Sequence, residues 1–170
     1  QVGRAREQAV VARRHRAGSA RDDRALTARV CLVTGANRGI GFEIARGLAK
    51  RGDTVFLLCR DRAKAEAARQ SITEETRDAR VEILLCDLSL LADVRRAAAE
   101  FRARRDTLHV LINSAGIFRR TRDVTSEGFE RVWVTNYLSH FLLTHLLLDT
   151  LKASAPARIV NVATRTSGLR

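Results

Sequence analysis

The residues best able to do chemistry stand in one stretch, Thr34-Gly35-Ala36-Asn37-Arg38-Gly39-Ile40-Gly41. Its glycines, spaced Gly-x-x-x-Gly-x-Gly, let backbone approach a ligand closely and take positive φ where a side chain would collide. A helix opening near Gly39 would aim its unpaired N–H groups and positive dipole end at an anion. Any tight strand-to-helix turn can use such glycines, so their placement has to decide. This turn follows a buried apolar run and opens a helical one, the setting in which a dinucleotide pyrophosphate is cradled.

Positioning that turn requires a strand before it and a helix after it, and both are legible. Val30-Cys31-Leu32-Val33 is a short continuous apolar run, as in a strand buried on both faces. Phe42, Ile44, Ala45, Leu48 and Ala49 then recur at helical spacing until Gly52. Thr54 to Cys59 reads as a second buried strand, closing a right-handed βαβ unit. The rhythm repeats with an Ala-rich helix over about 62–76, a strand over 81–86, a helix over about 90–104 and a strand over 108–113. A long helix over about 126–152 follows, Pro156 breaks the chain, and 158–162 makes a fifth strand. The pattern predicts an α/β, Rossmann-like doubly wound parallel sheet in order 3-2-1-4-5 with helices on both faces. The fifth strand would lie open as an edge, leaving the sheet incomplete.

Bulk properties bound the function. A chain of 170 residues with 45% apolar content suits one domain, expected over 29–170 behind a disordered basic segment over 1–28. The net charge of +12 suggests nucleic acid at first sight, yet beyond residue 28 the Arg excess is spread over helices that also carry acids. A solvated surface is the simpler reading, and no nucleic-acid partner is expected. Cys31, Cys59 and Cys86 are odd in number and lack CxxC pairing, as reduced core cysteines of a cytoplasmic protein would; no metal is expected. No apolar run reaches the ~20 residues that cross a bilayer. The chain begins at Gln1 and contains no Met, which points to a native start upstream.

Four ordered motifs make a family resemblance. Thr34 to Gly41 resembles the cofactor fingerprint of the short-chain dehydrogenase/reductase family. Asp87-Leu88 stands where that family contacts adenine. Asn113-Ser114-Ala115-Gly116 is similar to its Asn-Asn-Ala-Gly motif, and Asn136 matches the Asn of its catalytic group. Leu58-Cys59-Arg60-Asp61 and Leu146-Leu147-Leu148-Asp149 are similar to its retinol-dehydrogenase-like branch. The resemblance covers about residues 29–166 and implies cofactor contacts at Gly35, Asn37, Arg38, Gly39, Ile40, Gly41, Arg60, Asp87, Leu88, Asn113, Ala115 and Gly116.

The resemblance also implies hydride transfer between NADP(H), or NAD(H), and a small alcohol or carbonyl such as a retinoid or other lipid. Arg38 and Arg60 suit the 2′-phosphate of NADP, whereas Asp61 would favour NAD if it faced the ribose and could equally cap the next helix. The family's acid, a Tyr followed four residues later by Lys, does not occur here: the single Tyr137 is followed by Phe141. Thr164 takes the place of the family's Ser, with Ser167 a second hydroxyl, and Asn136 completes the catalytic candidates. Two explanations follow: a fragment of an enzyme whose Tyr and Lys lie beyond Arg170, expected to be inactive alone, or a non-catalytic NADP-binding or regulatory protein. The fuller protein would be open to homo-oligomers. His140 and His145 are read as satisfied helix histidines, His109 as meeting solvent, Trp133 as a packing anchor and Tyr137 as a packing or rim residue.

Overall fold

A computed structural model of the chain describes residues 28–76 and 80–164. The basic segment, but for Ala28, and everything after Thr164 lie outside the described residues, so the readings of residues 1–28 and of Ser167 fall there.

The apolar runs become five parallel strands: β1 (Val30–Thr34), β2 (Thr54–Cys59), β3 (Val81–Leu85), β4 (Val110–Asn113) and β5 (Arg158–Asn161). They pair in the order β3-β2-β1-β4-β5. Between them run α1 (Gly39–Lys50), α2 (Arg62–Thr76) and α3 (Leu91–Arg104). A continuous rod follows β4: α4 (Arg131–Trp133), a π-helical turn (Val134–Leu138) and α5 (Ser139–Ala153). Every residue of β1 and β2 is buried, as expected of central strands covered on both faces.

Strand side chains alternate between two cores. Leu32, Phe56, Leu58 and Leu111 pack with Val94, Ala97 and Phe101 of α3 and with Leu143, Leu147 and Leu151 of α5. Cys31, Val33, Val55, Leu57 and Ile112 pack on the other face with Ala45 and Ala49 of α1 and Ala65, Ala68 and Ile72 of α2. Phe56 and Phe101 meet edge to face at 4.9 Å. Burying such side chains is worth ~1.5–3 kcal/mol each, against ~0–1 for an exposed ion pair, so the sandwich and not the Arg-rich surface holds the fold.

Several boundaries differ from the sequence reading. The long helix begins at Arg131, not near Ser126, because Gly128 at φ 84° turns the chain and Val124 bridges Glu130. Glu130 is the cap, its carboxylate accepting from the N–H groups of Val132 and Trp133. β4 starts at Val110, and His109 just before it does not simply meet solvent: its Nδ1 accepts from the Val30 N–H at 3.0 Å, so it is half-buried and bonded. Trp133 is 48% exposed, lying beside Phe129 and Tyr137 with centroids 6.2 Å away in each case, and is no core anchor. Tyr137 is exposed on the same face. All of β5 is exposed, with Ile159 and Val160 uncovered. Among the described residues no helix is long and apolar enough to cross a membrane, and no group of His, Cys, Asp and Glu is arranged to hold a metal ion.

Candidate dinucleotide cleft

In a parallel sheet the C-terminal strand ends gather on one edge, and where the strand order reverses about β1 they leave a crevice. That crevice is a cleft of about 660 Å³ bordered by the glycine turn, the ends of β2 and β3, and residues 114–117. The turn is built without spare room. Gly35 has φ 68°, and a Cβ there would stand 2.9 Å from the Ala115 Cα. A Cβ on Gly41 would stand 2.5 Å from the Gly35 carbonyl oxygen. Arg38, the residue before α1, makes no side-chain cap and the first turn holds no acid. The N–H groups that open α1 therefore face the cleft with no partner from their own helix. This is the side-chain-free, positively polarised cradle that a pyrophosphate fits.

Thr34, the last residue of β1, fixes the opposite wall. Its Oγ1 accepts from the N–H groups of Ser114 and Ala115, both at 2.9 Å. It also lies 3.1 Å from His140 Nε2. Asn136 holds the next part of that wall, its Oδ1 accepting from the Ile117 N–H at 2.8 Å and its Nδ2 donating to the Ile117 carbonyl at 2.9 Å. Thr135 lines the cleft, and its buried Oγ1 has no partner among the described groups.

At the far end Asp87 follows β3. Its N–H donates to Asp93 at 2.6 Å and its Oδ1 accepts from the Ser89 N–H at 2.9 Å, which sets the loop carrying buried Leu88. Arg60 extends from the end of β2, exposed and 3.8 Å from the Asp87 carboxylate. Asp61 caps α2: its Oδ1 accepts from the Lys64 N–H at 3.1 Å, and that bond holds its carboxyl below the usual range.

Of the expected cofactor residues, the glycine-turn set, Arg60, Asp87, Leu88, Ala115 and Gly116 all border the cleft. Asn113 does not. Its side chain turns into the sheet, Nδ2 donating to Asn161 at 2.8 Å and Thr144 at 3.2 Å, so the backbone after it forms the wall. Asn136 sits behind that wall, and Thr164 is exposed three residues past β5, outside the cleft lining. The lining residues that the sequence reading did not assign include Ser114, Ile117 and Thr135. Ser114 lay inside the motif of residues 113–116 and Thr135 beside Asn136, which were the available signals.

A family model described as short chain dehydrogenase matches residues 29–169. Retinol dehydrogenase 12 of Bos taurus is 46% identical over 146 residues, which cover 86% of this chain and 46% of that protein. Retinol dehydrogenase 11 of Homo sapiens is 48% identical over 138 residues, covering 81% of this chain and 43% of that protein. The chain thus spans less than half the length of these curated relatives. Among solved structures, a metagenomic short-chain oxidoreductase in complex with NADP aligns with a TM-score of 0.72 and 28% identity, covering 81% of this chain and 63% of that one.

Proposed function

Because the chain belongs to the short chain dehydrogenase family, we propose that residues 29–170 form the NADP(H)-binding part of an oxidoreductase acting on an alcohol or carbonyl. The observation that carries this is the cleft itself, a glycine cradle open to the start of α1 with Arg38 and Arg60 exposed at its rim. The turn from Gly35 to Gly41 holds the pyrophosphate, Asp87 and Leu88 hold the adenine end, and the wall from Ala115 to Ile117 supports the remainder. The nicotinamide supplies or accepts a hydride.

Arg38 and Arg60 favour NADP over NAD, because guanidinium forks grip a 2′-phosphate through charge-assisted bonds. Asp61, the acid that would have suited a ribose hydroxyl, is committed to capping α2. The name of the retinol dehydrogenases supports a lipid-like alcohol or aldehyde as the substrate class. Asn136 and Thr164 belong to the substrate side; the first acts through the loop it clamps, the second through its hydroxyl.

Within these 170 residues, binding without turnover is a second reading. Tyr137 is followed four residues later by Phe141 and is exposed on the outer face of the rod, so no side chain here combines a phenol with a Lys to deliver a proton. Titration of the chain with NADPH and NADH, for wild type and Arg60→Asp, tests the proposal. Tighter binding of NADPH, with the preference lost in the variant, is expected; equal affinities in wild type would overturn the cofactor assignment.

A further inference from the structure

His140 is buried, 8% exposed, and reaches both anchors of the cleft wall. On one side Thr34 Oγ1 is 3.1 Å from Nε2; on the other the Asn136 carbonyl is 3.3 Å from Nδ1. Counting protons fixes their direction. A hydroxyl oxygen has two lone pairs and one hydrogen. The N–H groups of Ser114 and Ala115 occupy the lone pairs of Thr34, so its hydrogen must go to His140. Nε2 is therefore bare, and Nδ1 carries the hydrogen that is donated to Asn136. The network requires a neutral ring in one tautomer.

Each anchor holds a different part of the wall. Thr34 binds the amides of residues 114 and 115, while the side chain of Asn136 binds both backbone groups of Ile117. Among the described residues His140 is bonded to both, to Thr34 through its hydroxyl and to Asn136 through its backbone carbonyl. We infer that His140 is a positioning residue, which as a neutral ring locks residues 114 and 115 against the glycine turn through Thr34 and on protonation releases them, so that dinucleotide binding weakens in acid.

A proton on Nε2 would point at an oxygen with no lone pair left. Thr34 would then have to give up a wall amide or turn its own hydrogen away from its acceptor. Among the described residues, the groups bonded to the ring are uncharged: Thr34 from β1, with the amides after β4 bonded to it, and Asn136 from the π turn. None offers the cation a counter-charge. Burial accordingly pushes the ring's pKa below its ordinary value, partly offset by the Asn136 carbonyl. With the folded pKa below the unfolded one, the network's contribution to stability is complete above about pH 6.5 and declines as pH falls toward the folded value, where the ring itself takes up its proton.

The test has two readouts, of which only the second rests on the proposed cofactor. In the first, hydrogen exchange of the Ser114 and Ala115 amides, corrected for intrinsic rate, is followed from pH 8 to 5 alongside the nitrogen shifts of the His140 ring. A bare Nε2 above neutrality, and protection that falls in step with ring protonation by on the order of tenfold per pH unit, are expected for one linked proton. A bare Nδ1, or protection indifferent to the ring, overturns the inference. In the second, NADPH affinity at pH 7.5 and 5.5 is compared for wild type and His140→Gln, whose amide oxygen accepts from Thr34 yet does not titrate. The ligand's own phosphate titrates equally in both, so the ratio isolates the ring. Wild type should weaken more steeply on acidification than the variant, by at most about tenfold per pH unit; equal weakening overturns the inference. Absence of NADPH binding at any pH would sink the cofactor assignment, leaving the amide measurement to decide the role of His140.

Discussion

Glu127 caps a helix from thirty-six residues downstream: its Oε2 accepts from the Leu91 N–H at 2.6 Å, while Oε1 accepts from Ala92 at 3.0 Å. Leu90, the local cap position of α3, supplies no side-chain bond of its own. The loop before α4 thereby holds the helix that follows Asp87 and Leu88, and Arg131 adds a bond to the Ser89 hydroxyl at 3.1 Å.

Removing this distant cap should cost what a local one does. Glu127→Ala is expected to lower stability by about 1 kcal/mol, read as a shift in the urea midpoint at unchanged m-value, and to weaken NADPH binding through the loop of Asp87 and Leu88 proposed above to hold the adenine. Glu127→Gln keeps acceptor oxygen and should lose less. An unmoved midpoint in the Ala variant would show that the cap contributes nothing.

At the open edge of β3 two arginines occupy what a further strand would need. Arg80 and Cys86 direct their backbone to β2, so the carbonyls of Ile83 and Leu85 face outward. Arg104 donates to Ile83 at 3.0 Å and Arg96 to Leu85 at 2.7 Å. Both arginines are braced by Glu100. Unpaired edge carbonyls invite pairing with another chain. The double variant Arg96→Ala/Arg104→Ala should therefore keep its far-UV spectrum while self-associating faster, measured by light scattering; aggregation no faster than wild type would remove the guard role.

The elements near the cleft were legible because they rest on local pattern. Continuous apolar runs such as Thr54–Cys59 have few alternatives to a doubly covered strand, and Gly35 and Gly41 stand where a side chain would strike backbone. What the sequence hid depends on contacts between distant residues. Asn113 reads as a cofactor residue until Asn161 and Thr144 are seen to take its amide. His109 looks solvent-facing until the Val30 N–H finds its ring. The start of α4 was misread because Gly128 at positive φ and the carboxylate of Glu130, not Ser126, decide where the helix begins.

The three cysteines set an alkaline limit. Burial, the main cause in each, pushes the thiols of Cys31 and Cys86 up to about 12 and that of Cys59 up to about 11, from an ordinary 9.0. Their folded pKa values lie above the unfolded one, so their contribution is complete below about pH 9 and is lost as pH rises toward the folded values. Denaturation midpoints should hold level through pH 8 and fall above pH 9. A thiol-specific reagent at pH 8 should leave the folded chain unlabelled, since at most about one in a thousand of these thiols is ionised, and label all three after unfolding. Rapid labelling of Cys59 or Cys86 in the folded state would show that the cleft floor opens.

The three turn glycines should separate fold from binding. Gly35→Ala meets both a positive φ and the Ala115 backbone at 2.9 Å, so it should lose stability and binding together. Gly41→Ala carries no positive φ but sets its Cβ 2.5 Å from the Gly35 carbonyl, and overpacking of that kind costs ~1–3 kcal/mol. Gly39 differs, because a Cβ there meets nothing within 4 Å and only its φ of 57° is strained, a cost of ~1–2 kcal/mol. The open space beside it is where a pyrophosphate would lie. Gly39→Ala should therefore fold with the smallest loss of the three and still bind NADPH at least tenfold more weakly than wild type, as measured by paired urea and fluorescence titrations. If Gly39→Ala bound NADPH as tightly as wild type, the phosphates would have to lie elsewhere than against the start of α1.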